Sequence, residues 1–143
     1  MRVNISLLIL LTLGACGDGG SPTSPSPTLI AQGRWSGSLT DNSGTTGTLT
    51  LTLTQDAGSN AISGTASLSH PALSIGSGAV SGGVTRNTPP TDGALSIAAG
   101  GACPVSLNLP CAFPTRTRLE GTIGGGNAAC DLSLSGNFSL TKQ

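Results

Sequence analysis

From Leu29 onward the large apolar residues recur at every second position and nowhere at helical spacing. The clearest run is Thr48-Leu49-Thr50-Leu51-Thr52-Leu53-Thr54, which puts leucines on one face of an extended chain and threonines on the other. β-Branched threonine suits a pleated, solvated surface. Turn-forming clusters bracket the run, Asp41-Asn42-Ser43-Gly44 before it and Asp56-Ala57-Gly58-Ser59-Asn60 after it. Together they predict a strand in a sheet that is wet on one side.

A second pattern repeats along the chain. In Trp35-Ser36-Gly37-Ser38-Leu39, Ile62-Ser63-Gly64-Thr65-Ala66, Val80-Ser81-Gly82-Gly83-Val84, Leu119-Glu120-Gly121-Thr122-Ile123 and Leu134-Ser135-Gly136-Asn137-Phe138, a glycine stands between apolar residues of one parity. It therefore lies on the buried face, where it weakens a strand intrinsically but permits sharp coiling or makes room for a neighbour. Further strands fall at Leu73 to Ile75, Ala94 to Ala98 and Val105 to Leu109. No window supports an amphipathic helix, so the class is all-β. Sequential hairpin spacing predicts an antiparallel up-and-down meander of about eight strands, closed or nearly closed as a small barrel, because closure removes aggregation-prone edges. A two-sheet β-sandwich is the alternative.

The first 28 residues follow other rules. Arg2 precedes an apolar run from Ile5 to Leu13, too short to span ~30 Å of hydrocarbon as a helix and of the length of a signal-peptide core. The run ends in Leu13-Gly14-Ala15-Cys16, which resembles the lipobox of bacterial lipoproteins at all four positions. The resemblance implies cleavage after Ala15, a diacylglyceryl thioether on Cys16 and attachment to a membrane through lipid. An ordinary secretory signal, with Cys16 left for a disulfide, is the alternative. In Gram-negative lipoproteins an Asp directly after the lipidated Cys favours the inner membrane. Gly17 stands there instead, so the resemblance implies the outer membrane, while a Gram-positive host would place the anchor in its cytoplasmic membrane. Residues 17–28, GDGGSPTSPSPT, contain no large apolar side chain and read as a flexible root followed by a polyproline-II spacer. At ~3.1 Å per residue it could hold a domain up to roughly 35 Å from the lipid. The expected organisation is a cleaved signal at 1–15, a lipidated Cys and tether at 16–28, and a barrel at 29–143.

Composition narrows the function. Gly contributes 22 residues, Ser 19 and Thr 18, while Trp35, Phe113 and Phe138 are the only aromatics, so the core must be thin. Net charge is zero, which removes any whole-molecule electrostatic argument for nucleic acid, anionic lipid or a strongly acidic substrate. With one His, one Glu and no Tyr, the supply of acids and bases is too small for most hydrolytic or metal-assisted chemistry. No catalytic residue, cofactor or metal site is therefore expected. His70, in Ser69-His70-Pro71-Ala72, reads as a solvated loop histidine with no acidic residue nearby in sequence to orient it. Gly100-Gly101 and Gly124 to Gly126 precede no helix and are not phosphate cradles. Arg116, Arg118 and Glu120 alternate with Thr117, Leu119 and Gly121, placing the charged set on the outside of one strand.

Export makes disulfides possible, and a thin β-domain benefits from one. With Cys16 lipidated, Cys103, Cys111 and Cys130 remain. Cys130 shares parity with Leu132, Leu134 and Phe138 and is expected to face inward near the start of the last strand. Cys111–Cys130 is the expected bridge, closing around a hairpin that contains Gly124-Gly125-Gly126-Asn127, and Cys103–Cys130 is the alternative. Either leaves one thiol free.

The Gly33-Arg34-Trp35 start, the threonine-rich strands and the repeated apolar-Ser-Gly-Thr-apolar units resemble uncharacterised small bacterial β-barrel lipoproteins and, more distantly, barrels of the avidin and lipocalin kind. The leading expectation is a lipid-anchored, non-catalytic binding or structural module of the bacterial envelope, with a protein partner as one option. The alternative is a calycin-like carrier of a small apolar ligand, in a cavity of at least ~300 Å³ lined by Trp35 and Phe138; an enzyme is the remote third. Trp35 and Phe138 equally fit a role as core plugs.

Overall fold

The computed structural model describes residues 28–143. The expected signal segment, the lipobox-like Leu13-Gly14-Ala15-Cys16 and nearly all of the expected tether lie outside the described residues. The rest is a meander of eight antiparallel strands: β1 (Gly33–Asp41), β2 (Thr46–Gln55), β3 (Ala61–His70), β4 (Leu73–Val84), β5 (Thr91–Ala99), β6 (Val105–Thr115), β7 (Arg118–Asn127) and β8 (Leu132–Lys142). Each strand pairs with the next, and β8 returns to β1 from Trp35↔Lys142 to Asp41↔Gly136. That last ladder closes the barrel and removes the sandwich alternative.

Side-chain parity decides inside from outside. Leu49, Leu51 and Leu53 of β2 are buried, as are Leu95 and Ile97 of β5 and Leu107, Leu109 and Phe113 of β6. The outward positions of all eight strands are Ser, Thr, Gly, Ala, Asn, Pro or charged residues. A barrel that crosses a membrane needs the opposite arrangement, an apolar band on its outer wall.

The five repeat glycines share one close approach to the neighbouring strand, although Gly82 is exposed and only Gly136 is fully buried. A Cβ on Gly37 would run into the Ser139 carbonyl, on Gly64 into that of Thr52, on Gly82 into Ala94, on Gly121 into Pro110 and on Gly136 into Thr40. Each faces the Cα of its cross-strand partner, Leu140, Leu53, Leu95, Cys111 and Asp41 respectively. The missing side chains let adjacent strands coil tightly enough to close a narrow cylinder.

The barrel has two ends. Residues 28–32, the turns after β2, β4 and β6, and the end of β8 form the proximal end, where the tether joins. The turns after β1, β3, β5 and β7 form the distal end. Residues 29–31 fold across the proximal mouth, burying Ile30 and Ala31. Gln55, which continues the inward parity of the β2 leucines, accepts the Ala31 N–H at 2.9 Å and donates to Asn60 and Asn87.

Several expected boundaries move. Arg116 and Thr117 form the β6–β7 turn and are exposed, so only Arg118 and Glu120 share the outside of β7. Their side chains pair at 2.8 Å in solvent, an arrangement worth well under ~1 kcal/mol. Gly124 to Asn127 belong to β7, and the hairpin tip is the short 3-10 turn Ala128–Cys130.

Candidate functional site

Trp35 is the centre of the proximal core. Its ring is 0 % exposed, and its Nε1–H donates to the Ala31 carbonyl at 2.7 Å. The Phe113 ring meets it edge-on at 5.6 Å. Lys142, itself half-buried, places its Nζ 5.2 Å from the indole centroid, a cation–π contact of about 0.5–2 kcal/mol. The aliphatic stem of Lys142 lies over Gly33, where a Cβ would stand 2.8 Å from Cε. The Gly33-Arg34-Trp35 sequence thus has a packing reason: Gly33 admits the chain that covers Trp35. Burial and the neighbouring Arg116 charge lower the Lys142 pKa from its ordinary value.

The sequence placed Trp35 and Phe138 together as ligand-lining candidates. Phe138 is buried two inward positions further along the barrel, opposite Leu39 and Gly121, while Phe113 is the ring that meets Trp35 edge-on. With Trp35, Phe113, Leu39 and Leu140 all at 0 % exposure, no water-sized space opens against the indole. Both candidate residues pack the core.

The disulfide joins Cys103 to Cys130. This is the second of the two expected pairings, and the Cys111–Cys130 bridge does not form. The reason is vertical position: β6 rises out of the distal β5–β6 loop that holds Cys103, while Cys111 stands six residues along it, ~20 Å toward the proximal end. Cys130 is no strand residue but ends the distal 3-10 turn beside that loop, and Asn127 ties the two by donating from Nδ2 to the Pro104 carbonyl at 2.6 Å. Cys111 faces inward from β6, buried and free, against Gly93 of β5. Burial, and secondarily the Asp92 charge, push its thiol up to about 12. It is a core side chain with no thiolate at neutral pH.

His70 departs most from its sequence reading. Far from solvated, it is 3 % exposed, the last inward residue of β3 after Ile62, Ala66 and Leu68. Its imidazole packs on Gly47 of β2. The Ala72 N–H donates to Nδ1 at 3.1 Å, which fixes the hydrogen on Nε2, and Nε2 lies 3.2 Å from the Thr45 carbonyl and 3.6 Å from Asp41 Oδ2. Asp41 in turn accepts from the Ser43 hydroxyl and from the Ser43 and Thr45 N–H groups on its other oxygen. The Ser43 hydroxyl bond first, then these backbone donors and the His70 field, hold the Asp41 carboxyl below its ordinary range. A carboxylate and a hydroxyl are therefore close to the histidine, but the order is hydroxyl, carboxylate, imidazole. A nucleophilic triad needs the hydroxyl on one ring nitrogen and the carboxylate on the other. Here a backbone amide occupies Nδ1, and the ring is shut off from solvent, so the cluster ties two distal hairpin tips together.

In fold, the chain is similar to designed β-barrels. A redesigned β-barrel, b11L5F_LGL, superposes with a TM-score of 0.52 at 19 % identity, covering 80 % of this chain and 92 % of that one. EF1p2_mFAP2b, solved bound to DFHBI, gives 0.54 at 14 % identity over 80 % and 94 %. A third redesigned barrel, mFAP1, also bound to DFHBI, gives 0.50 at 11 % identity over 80 % and 95 %. At these identities the likeness concerns the fold alone. No protein-family model and no curated protein matches the chain.

The outer wall has several shallow recesses, among them one of about 290 Å³ lined by Arg34, Thr50, Thr52, Thr65 and Ser67 and one at the distal half of β6, β7 and β8. Pro110 has no N–H to give, and the β6–β7 ladder skips from Asn108↔Gly124 to Cys111↔Gly121 around it. Over that break lies a recess of about 320 Å³ bordered by Asn42, Asn108, Thr122, Ser135 and Asn137. Its side chains are neutral donors and acceptors, suited to hydrogen bonding and to no acid–base step. Among the described residues, no group of three or more His, Cys, Asp or Glu is placed to hold a metal ion.

Proposed function

We propose that this protein is a lipid-anchored, non-catalytic barrel of the bacterial envelope, held to the membrane through Cys16 and presenting its outer wall as a binding or structural surface. The observation that carries the reading is the wall itself. With hydroxyl, amide and glycine positions outward on every strand, the barrel has no apolar band to place in lipid. The membrane link in this proposal rests on the resemblance of Leu13-Gly14-Ala15-Cys16 to a lipobox. Two acyl chains suffice for stable anchoring at about 0.8 kcal/mol per buried methylene. The engaged ring nitrogens of His70 support the non-catalytic half of the proposal. Mass spectrometry of the native protein should find a diacylglyceryl group on Cys16, and Cys16→Ser should move the chain to the soluble fraction. Unchanged membrane association of that variant, with no acyl mass on the native chain, would overturn the reading.

A second reading, a small-ligand barrel, draws on the two similar barrels solved bound to DFHBI. In this chain an interior ligand has to displace the Trp35–Phe113 contact. Titration with DFHBI, followed by Trp35 emission and thermal shift, tests it. Saturable quenching with a raised Tm would favour this reading, and a flat titration would count against it.

A further inference from the structure

Zero net charge conceals a separation along the barrel axis. Of the six Lys and Arg residues, Arg2 lies in the leader and the other five, Arg34, Arg86, Arg116, Arg118 and Lys142, all stand at the proximal end. That end also carries Asp56, Asp92 and Glu120, and the distal end carries Asp41 and Asp131 with no Lys or Arg, His70 being counted as neutral. Side-chain charge is thus plus two at the proximal end and minus two at the distal end. The basic residues are concentrated further on one side. Arg34 points outward from β1, Lys142 of the paired β8 stands opposite Trp35 and turns over it at the mouth, Arg118 faces Thr141 across β7 and β8, and Arg116 donates to the Thr28 carbonyl at 3.0 Å. Glu120 is the one acidic side chain set against these four, while Asp56 is turned into its own loop by bonds from Gly58 and Ser59. The tether therefore leaves the barrel through its most basic sector.

We propose that this sector of the proximal rim, Arg34, Arg116, Arg118 and Lys142, is a docking face for an anionic phospholipid surface and seats the barrel end-on against the membrane. The inference rests on the lipid-anchor reading above. So small a net charge is too weak to recruit a free protein, but a short tether raises the local concentration of lipid headgroups until weak contacts suffice. The field acts within about 10 Å, so the seated barrel sits close to the headgroups, well inside the ~35 Å the tether allows. The distal end, with its two carboxylates, then faces away from the bilayer.

The test uses residues 17–143, which hold the whole closed ladder, the core and the disulfide without the leader. Co-sedimentation compares vesicles of phosphatidylcholine with vesicles of equal parts phosphatidylglycerol and phosphatidylcholine. Each basic side chain near an anionic surface multiplies partitioning about fivefold, and the tested chain also carries the Gln143 carboxylate beside Arg34, so a net of two predicts a preference of about 25-fold for the anionic vesicles, lost in molar salt. Replacing all four by Gln should abolish it. Because Arg116 and Lys142 also serve packing, the exposed pair Arg34→Gln/Arg118→Gln is measured as well and should lower partitioning about 25-fold with an unchanged melt. Equal partitioning to both vesicles, or anionic preference that survives these substitutions, overturns the docking face. The native chain's acyl mass is read separately. Anionic preference without that mass would remove the anchor and leave the face, and the mass without preference would remove the face and leave the anchor.

Discussion

Replacing Cys103 and Cys130 together by Ser removes the one covalent staple among the described residues, and its cost can be worked from the separation of 27 residues. Loop-closure entropy of the unfolded chain, −2.1 − 1.5R ln n cal/mol/K, gives about 3.5 kcal/mol at 25 °C for a loop of this size. Cys130 is half-buried and Cys103 exposed at the distal turns, so the double change leaves no cavity and the whole effect is on the unfolded state. Against a total of roughly 5–15 kcal/mol for a domain, this is a large share. Urea unfolding should show the midpoint falling by roughly 1.5–2 M, taking m as about 2 kcal/mol/M. Cys111→Ala keeps the bridge and should cost only about 1 kcal/mol, for one lost buried group. In the native protein Cys111 should resist alkylation until unfolding. The reasoning fails if the double variant unfolds within ~0.5 kcal/mol of the parent, or if Cys111 rather than Cys103 is found oxidised by peptide mapping.

Gly64→Ala should destabilise by about 1–3 kcal/mol, because its Cβ enters the Thr52 carbonyl, while Gly124→Ala, with nothing within 4 Å, should be neutral or slightly stabilising; equal melts for the two would defeat the close-approach account. Trp35 is the sole indole and fully buried, so its emission should be blue-shifted and protected from acrylamide; Trp35→Phe should cost about 1–3 kcal/mol by orphaning the Ala31 carbonyl, and solvent-like emission from the parent would contradict the packing. Asp41 has a folded pKa below its ordinary 3.8, so its contribution is present above that value and is lost as pH falls through the folded pKa. Urea midpoints of Asp41→Asn and parent should therefore differ near neutrality and converge under strong acid, and a constant gap across the titration would show that the charge is not what matters.

Much of the barrel was written in local parity. The β2 run reads directly as a strand, and the five inward glycines announce tight coiling before any neighbour is known. Pro71 makes the Ser-His-Pro-Ala segment look like a turn, although His70 keeps the inward parity of Ile62, Ala66 and Leu68. The same parity, extended one step past Leu53, would have found buried Gln55. What parity cannot supply is which turns share an end. The Cys103–Cys130 bridge, the approach of Asp41 to His70 and the collection of basic residues at one rim all depend on counting strands up and down. An error of one strand exchanges the two ends, so these contacts become legible only with the full meander in place.

The excess of glycine and the scarcity of aromatics have a common cause. A wide barrel either holds a cavity or needs large side chains to fill it. At Gly37, Gly64, Gly82, Gly121 and Gly136 the adjoining strand comes so close that its Cα meets the place a side chain would occupy, which narrows the cylinder. A narrow cylinder can be filled by leucines, with Trp35 and Phe113 closing the proximal mouth and Phe138 set further in. Substituting larger residues at the glycines would therefore widen the barrel and open voids as well as create clashes, and the sparse core could not refill them. The same economy packs the interior around Trp35, where Leu39, Phe113 and Leu140 are fully buried with it.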